Sequence, residues 1–151
     1  GSRLVAARLV NQLMRLCFLQ ERRYAPYAKW FGTAFSTLPC APAMEPVLLD
    51  VLRAENWKER ERFLSRAYTA VAKRHNMLGV TAPLDTGVSG YYDRPFLVID
   101  SDAYAGVLLA AIADPGVRAI PRPIGSISHM TGCTPILCEN SMWNRVAELY
   151  R

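Results

Sequence analysis

Glycine and proline are distributed unevenly along this chain, and their distribution limits where long helices can form. Only six of these nineteen residues precede position 79, whereas thirteen lie in the last 73 residues. Proline lacks a backbone donor and glycine loses the most conformational entropy on folding, so both interrupt regular structure. The sequence therefore predicts a helical half over residues 1–79, an irregular Pro/Gly-rich lobe over residues 80–139 and a closing helix over residues 140–151.

Within the helical half, apolar residues recur at intervals of three and four, the spacing of amphipathic helices. Capping and breaking residues place the ends of the predicted helices. The predicted helices are residues 3–20 after a Ser2 cap, Pro26 to just before Pro39, Pro46 to Ala54, and a helix from the Asn56–Glu59 capping box to Gly79.

The lobe is predicted to hold less regular structure. Residues 96–99 are expected to be extended, and Ser101 is expected to cap a fifth helix that runs to Ala113. Residues 119–137 are broken by glycine and proline into turns, and a last helix is expected over residues 141–150. Alternating patterns are almost absent, so the chain is predicted to be an all-α bundle of about five to six helices in a single domain.

The composition is that of a globular protein. The chain has 151 residues, of which 51% are hydrophobic and 21% charged, and this balance excludes an intrinsically disordered chain. The longest apolar run, residues 105–113, is about half of a membrane span, and no secretory leader opens the chain. We therefore expect a cytoplasmic protein with reduced thiols and no membrane partner.

Positive charge is concentrated at the start of the chain. Residues 1–40 carry six bases and one acid, whereas residues 41–151 carry twelve of each. On a helix, three arginines of this segment would lie on one stripe about 40° wide, and arginine suits carboxylate and phosphate groups. The predicted substrate-binding or anion-binding residues are Arg8, Arg15, Arg22, Tyr27 and Lys29. The aromatic residues between positions 24 and 35 are interpreted either as core or as one wall of an anion pocket.

No catalytic residue and no metal site are predicted. The only loose group of metal-binding side chains is His129, Cys133, Cys138 and Glu139, which lacks the paired spacing of structural zinc sites. Asp100 and Asp102 are not interpreted as magnesium ligands, because no Gly-Ser turn precedes them at the required distance; Ser101 is interpreted as the helix cap and Asp102 as a favourable acid in the first turn. His75 is interpreted as a hydrogen-bonded core residue. The alternating charges of residues 58–62 are interpreted as a solvated helix face.

Several stretches resemble a bacterial family. They are residues 3–19, residues 21–35, His75–Gly79, Arg94–Phe96 and Ile124–Ser126. Together they resemble the domain of unknown function 4037, which in its family follows an N-terminal nucleotidyltransferase-like domain. The resemblance implies coverage of nearly the whole chain, a native Gly1–Ser2 rather than a cloning remnant, and a chain that is the C-terminal part of a longer protein.

The resemblance implies a function without a catalytic centre in this chain. The chain would be a helical accessory domain that lines a substrate cleft, its partner would be the nucleotidyltransferase-like domain, and magnesium and NTP would bind to that domain alone. The first alternative is a non-catalytic interaction domain whose basic first helix docks an acidic partner, RNA or a second copy; nucleic acid is not the expected partner. The second is a small-molecule enzyme built around His75 or His129.

Overall fold

The computed structural model describes residues 1–120 and Glu148, and over this range the all-α prediction is confirmed. The helices are α1 (Ser2–Gln20), α2 (Ala28–Ser36), α3 (Ala41–Arg53), α4 (Trp57–Leu78), α5 (Ser101–Ala110) and α6 (Pro115–Arg118). The strands β1 (Ser89–Gly90) and β2 (Leu97–Val98) form one short antiparallel pair. Within the described residues, no helix combines the length and the apolar character that a membrane span requires. The turns predicted over residues 121–137 and the predicted closing helix lie outside the described residues.

The core is formed by one face each of α1, α3 and α4, with two aromatic rings from α2. The Phe18 ring of α1 packs against Phe31 and Phe35 of α2, with ring centroids 5.5 and 6.2 Å apart. Met44 and Val51 of α3 are fully buried against the same cluster. Burying side chains of this size is the main favourable contribution to folding. The helical half of the chain is thus built around one continuous apolar core.

A buried arginine joins the beginnings of α1 and α4. Arg60 is only 3% exposed, and its guanidinium donates to the Ser2 hydroxyl at 3.0 Å and to the Ala54 carbonyl. The charged pentapeptide of residues 58–62 was predicted to be a solvated face, and this is wrong for Arg60. The residue continues the buried stripe of Ala67 and Val71 at helical spacing, so its long side chain enters the interior.

A second polar contact joins the ends of the same two helices. Gln20 donates to the Val71 carbonyl at 2.9 Å, and Arg74 donates to the Gln20 side chain at 3.2 Å. Arg74 also forms an ion pair with Glu21 at 2.5 Å. Because Ser2 meets Arg60 while Gln20 meets Val71, α1 and α4 run in the same direction.

Two helices begin later or earlier than predicted. The helix predicted from Pro46 begins at Ala41, because Ala41, Met44 and Leu48 form one buried stripe that continues across the proline. Burial of this stripe outweighs the cost of about 3 kcal/mol for proline in a helix interior. The helix predicted from Pro26 begins at Ala28.

The predicted caps are confirmed at both ends of α4 and are displaced in two other helices. Asn56 accepts from the Glu59 amide at 2.9 Å, and Gly79 ends the helix in the left-handed conformation at φ 62°. Ser2 is the first residue of α1 rather than its cap. Asp100, not Ser101, caps α5 by accepting from the Ala103 amide at 3.0 Å, and α5 ends at Ala110 instead of Ala113.

Replacement of Met44 by alanine tests the core. Met44→Ala is expected to lower the free energy of unfolding by about 2–5 kcal/mol, because it removes buried atoms and leaves a cavity. Urea denaturation measures this change. The control is Met77→Ala, since Met77 is 75% exposed and its loss should change stability by less than about 0.5 kcal/mol. Equal effects of the two substitutions would contradict this packing.

The thiol of Cys17 predicts a pH dependence of stability. Burial, and after it the neighbouring Cys40 thiol, raises the pKa of Cys17 to about 12. The protonated thiol is favoured in the fold, so its contribution is complete below the unfolded pKa of about 8.5 and is lost as pH rises toward 12. The stability difference between the wild type and Cys17→Ala should therefore shrink between pH 8 and pH 10.5 in urea denaturation. A difference that is constant with pH would contradict this assignment.

Candidate functional site

Helix α1 has three faces with different surroundings. The first is buried in the core and includes Ala6, Val10 and Cys17. The second lines an open cleft through Leu9, Gln12, Leu13, Leu16 and Gln20. The third carries Arg8 and Arg15, about 100° around the helix from the second. The predicted arginines therefore lie beside the cleft and do not line it.

Arg15 is held in place by two neighbours. Its Nε donates to the Asn11 side chain at 3.1 Å, and its guanidinium carbon lies 5.4 Å from the centroid of the Phe31 ring. A guanidinium over an aromatic face gains about 0.5–1 kcal/mol at an exposed site. Arg8, two turns earlier, is exposed. The two arginines share a face, and only Arg15 is oriented by contacts within the described residues.

Arg22 does not continue the helical stripe, so that part of the prediction is wrong. Helix α1 ends at Gln20, and Arg22 has the left-handed φ of 54°. The Arg22 amide donates to the Leu19 carbonyl at 3.0 Å and the Arg23 amide to the Phe18 carbonyl at 2.9 Å, which together form a Schellman motif. An arginine occupies the position that glycine usually takes, at a cost of roughly 1–2 kcal/mol. Its side chain is exposed at the end of α1.

The remaining predicted residues, Tyr27 and Lys29, lie at the beginning of α2. Tyr27 precedes the first turn of α2 and is about half exposed, and Lys29 Nζ lies 5.5 Å from the Trp30 ring centroid. The core interpretation of the aromatic segment is confirmed for part of it, and the anion-pocket interpretation stays a prediction. Phe31 and Phe35 are core residues, whereas Tyr27 and Trp30 are exposed. None of the five predicted residues lines the cleft beside α1.

Within the described part of the chain, the predicted basic residues of α1 and the segment after it have no carboxylate partner. Glu21 is the only acid in residues 1–40, and its carboxylate is paired with Arg74 of α4. Among the residues that the structure describes, no carboxylate lies within 4.0 Å of Arg8, Arg15 or Arg22. We call Arg8, Arg15, Arg22 and Lys29 the basic surface. A surface of this charge attracts anions.

Two leucines border this basic surface. Leu4 is 79% exposed and Leu19 is 61% exposed. On the helix they lie within about 60° of Arg8 and Arg15. Arginine next to exposed aliphatic side chains is typical of a protein-docking surface as well as of an anion site.

The cleft itself was not predicted. It has a volume of about 450 Å³ and lies between α1, α4 and α5. Most of its walls are apolar, and the polar side chains in it are Gln12, Gln20, Tyr68, His75, Ser101 and Tyr104. A mostly apolar pocket with a few polar groups is the usual form of a small-molecule site. We call it the apolar cleft.

His75 is a hydrogen-bonded core residue, as predicted, and it also reaches the apolar cleft. Its Nε2 lies 2.8 Å from the Thr81 hydroxyl, and that hydroxyl donates to the Ala82 carbonyl at 3.0 Å. The Thr81 hydroxyl has one proton, which it donates to the Ala82 carbonyl. Both contacts therefore form together when Nε2 of His75 carries a proton and donates it to the Thr81 oxygen. The hypothesis of an enzyme built around His75 stays a prediction.

Tyr104 fastens α5 over the cleft. Its ring meets His75 edge to face with centroids 5.0 Å apart, and its hydroxyl donates to the Asp85 carbonyl at 2.8 Å. Burial raises the pKa of the Tyr104 phenol above its ordinary value, and the Asp85 carboxylate raises it further. The phenol is therefore a neutral donor at physiological pH. Within the described part of the chain, α5 buries none of its side chains, so Tyr104 is its main attachment.

The loose group of His129, Cys133, Cys138 and Glu139, which is not predicted to bind a metal, lies outside the described residues. In residues 1–120 and 148, no three His, Cys, Asp or Glu side chains cluster in a way that could hold a metal ion. Asp100, which was weighed as a magnesium ligand, uses its carboxylate to cap α5.

Comparison with known families supports the resemblance over the first helix and the beginning of the second. The family model described as "Domain of unknown function (DUF4037)" matches residues 1–31. This range contains all five predicted binding residues, whereas the stretches at 75–79, 94–96 and 124–126 lie beyond it. No curated protein and no solved structure matches the chain.

Removing the Tyr104 ring should loosen α5. Tyr104→Ala deletes an aromatic pair worth about 0.5–1.5 kcal/mol and a hydrogen bond worth about 1 kcal/mol. Amide hydrogen exchange of residues 103–111 should therefore become at least about tenfold faster, while exchange in α1 and α4 stays unchanged. The control is Tyr24→Ala, because Tyr24 is exposed. Unchanged exchange in α5 would show that other contacts hold it.

Proposed function

We propose that this chain is a helical accessory domain that packs beside a nucleotidyltransferase-like domain and lends a basic wall to its substrate cleft. The chain contributes no catalytic centre; magnesium and the NTP belong to the other domain. The observation that carries the proposal is the basic surface, which has no counter-charge among the described residues. The match of residues 1–31 to the family supports it, because the predicted binding residues all lie in that range.

The spacing of the arginines suits a phosphorylated substrate. Arg8 and Arg15 are two helical turns apart, or about 10 Å along the axis. Guanidinium groups bind phosphate oxygens in a bidentate way, and such charged hydrogen bonds are about twice as strong as neutral ones. Arg15 is already oriented by Asn11 and Phe31, so little rotamer freedom is lost when it binds.

A second candidate function is a non-catalytic interaction domain that docks an acidic partner or a second copy through α1. The exposed side chains of Leu4 and Leu19 favour it, since they add apolar area on the face that carries the arginines. Apolar area contributes affinity to a protein interface, and the arginines would select an acidic surface.

The test uses the full-length protein that contains this chain. Arg8→Ala/Arg15→Ala should weaken binding of Mg-ATP by about tenfold or more in calorimetry, because each lost charged hydrogen bond costs about 1.5–3 kcal/mol. The matched control is Arg53→Ala, which removes one exposed arginine at the end of α3. Unchanged affinity in the double variant would remove the basic surface from the nucleotide site.

A parallel variant separates the two candidate functions. Leu4→Asp/Leu19→Asp leaves the arginines in place and makes the docking face polar. In the interaction-domain function, this variant abolishes association in sedimentation and leaves the affinity for Mg-ATP unchanged. In the accessory-domain function, Arg8→Ala/Arg15→Ala lowers the affinity for Mg-ATP, and this function does not require association with a second copy.

A further inference from the structure

A second basic surface lies on α4, separate from the residues discussed above. Lys58, Arg62 and Arg66 recur every four residues and Lys73 follows about two turns later, so all four share one side of the helix. They line a groove of about 580 Å³ between α4, α3 and β2. We call it the basic groove. Along the helix axis, the four bases extend over about 22 Å.

The neighbouring acids of α4 are occupied by backbone amides. Glu59 accepts from the Glu55 amide at 3.2 Å, and Glu61 accepts from the Leu97 amide at 2.8 Å. Arg62 lies 4.0 Å from Glu59 in an exposed pair that contributes little. Glu61 also lines the groove, so four bases face a single acid there. The groove therefore attracts anions.

The loop between β1 and β2 adds exposed aromatic rings. Tyr91 stacks on Phe96, with centroids 5.6 Å apart and an angle of 18° between the rings. Tyr92 is 89% exposed and has a left-handed φ of 52°. For a bulky residue this backbone conformation is strained, and such strain is concentrated at functional sites.

The basic groove and this aromatic loop are directly connected. Leu97 follows the loop in β2, lines the groove and is bonded to Glu61 of α4. Glu61 lies between Lys58 and Arg62 in sequence, so the loop is fastened at the beginning of the row of bases. The loop that carries the aromatic rings is thereby attached at one edge of the groove, and Phe96 itself lines the adjacent pocket between α1 and α4, which shares Glu61 and Leu97 with the groove.

We propose that the basic groove and the aromatic loop together bind single-stranded nucleic acid. The four bases of α4 would contact successive phosphates, and Tyr92 with the Tyr91–Phe96 pair would stack on unpaired nucleobases. A charged groove that follows the backbone, next to aromatic rings that accept any base, is how proteins bind single strands without sequence preference. This inference concerns a different surface and a different ligand from the function proposed above.

The test measures binding of the 151-residue chain to a fluorescein-labelled 12-nucleotide oligo(U) by fluorescence anisotropy. For single strands, the logarithm of the affinity falls with the logarithm of the salt concentration by about 0.7 per neutralised phosphate. With three to four phosphate contacts, the affinity should fall roughly 20-fold to 50-fold between 50 and 200 mM salt.

Two variants separate the charged and the aromatic contributions. Arg62→Ala/Arg66→Ala should weaken binding at least tenfold and reduce the salt slope by about 1.4. Tyr92→Ala should weaken binding by about fivefold or more with the slope unchanged, because stacking contributes about 1–3 kcal/mol per base. The matched control is Arg3→Ala/Arg53→Ala, which removes two exposed arginines that belong to neither basic surface and should leave binding unchanged. Circular dichroism verifies that each variant is folded.

Three results would overturn the proposal. They are the absence of saturable binding to oligo(U), an equal loss of affinity in the control variant and the α4 arginine variant, and equal affinity for a duplex of the same length. The last result would exclude stacking on unpaired bases. Failure of Mg-ATP binding in the full-length protein does not affect this test, since the two experiments use different ligands and different arginines.

Discussion

The parallel pairing of α1 with α4 is the constraint on which the rest of the structure depends. Where the two helices begin, Arg60 of α4 donates to Ser2 of α1 and to the Ala54 carbonyl. Near their other ends, Arg74 of α4 donates to Gln20, the last residue of α1, and to Glu21. A buried guanidinium without partners is costly, so sliding or rotating either helix would leave these groups unsatisfied. The two contacts therefore fix the register of the helices. That register decides which residues of α1 and α4 face outward, and so where both basic surfaces lie.

Among the described residues, several acidic side chains bind helix ends or loops, and most exposed bases of α1 and α4 have no close carboxylate. Glu21 is paired with Arg74, while Glu59 and Glu61 accept from backbone amides and Asp100 caps α5. A net charge of +5 therefore understates the local positive potential of α1 and α4. The basic surface and the basic groove have the same origin. Nearby carboxylates bind backbone amides at helix ends and loops, whereas arginines such as Arg8, Arg22 and Arg62 stay exposed.

The sequence predicted features that depend on local chemistry. The extent of α1 and both ends of α4 follow from apolar spacing, the Asn56 cap and Gly79. Prediction from the sequence failed where contacts between residues far apart in the chain determine burial or the bounds of a helix. Burial of Arg60 requires Ser2 and Ala54 as acceptors, and α3 continues across Pro46 because of its packing. The apolar cleft could not be predicted, since the Tyr104–His75 contact that places α5 has no signal in local spacing. The helical spacing of Lys58, Arg62 and Arg66 was visible, but only the structure assigns the intervening acids to the backbone.

The turn after α1 ties the charge of the chain to its conformational strain. Glycine in place of Arg22 would relax the left-handed backbone at φ 54° and lower the energy of the folded state. The same exchange would delete one cation beside the negative end of the α1 dipole. The exchange of Arg22 for glycine would therefore remove backbone strain at this turn and also weaken the positive electrostatic potential there.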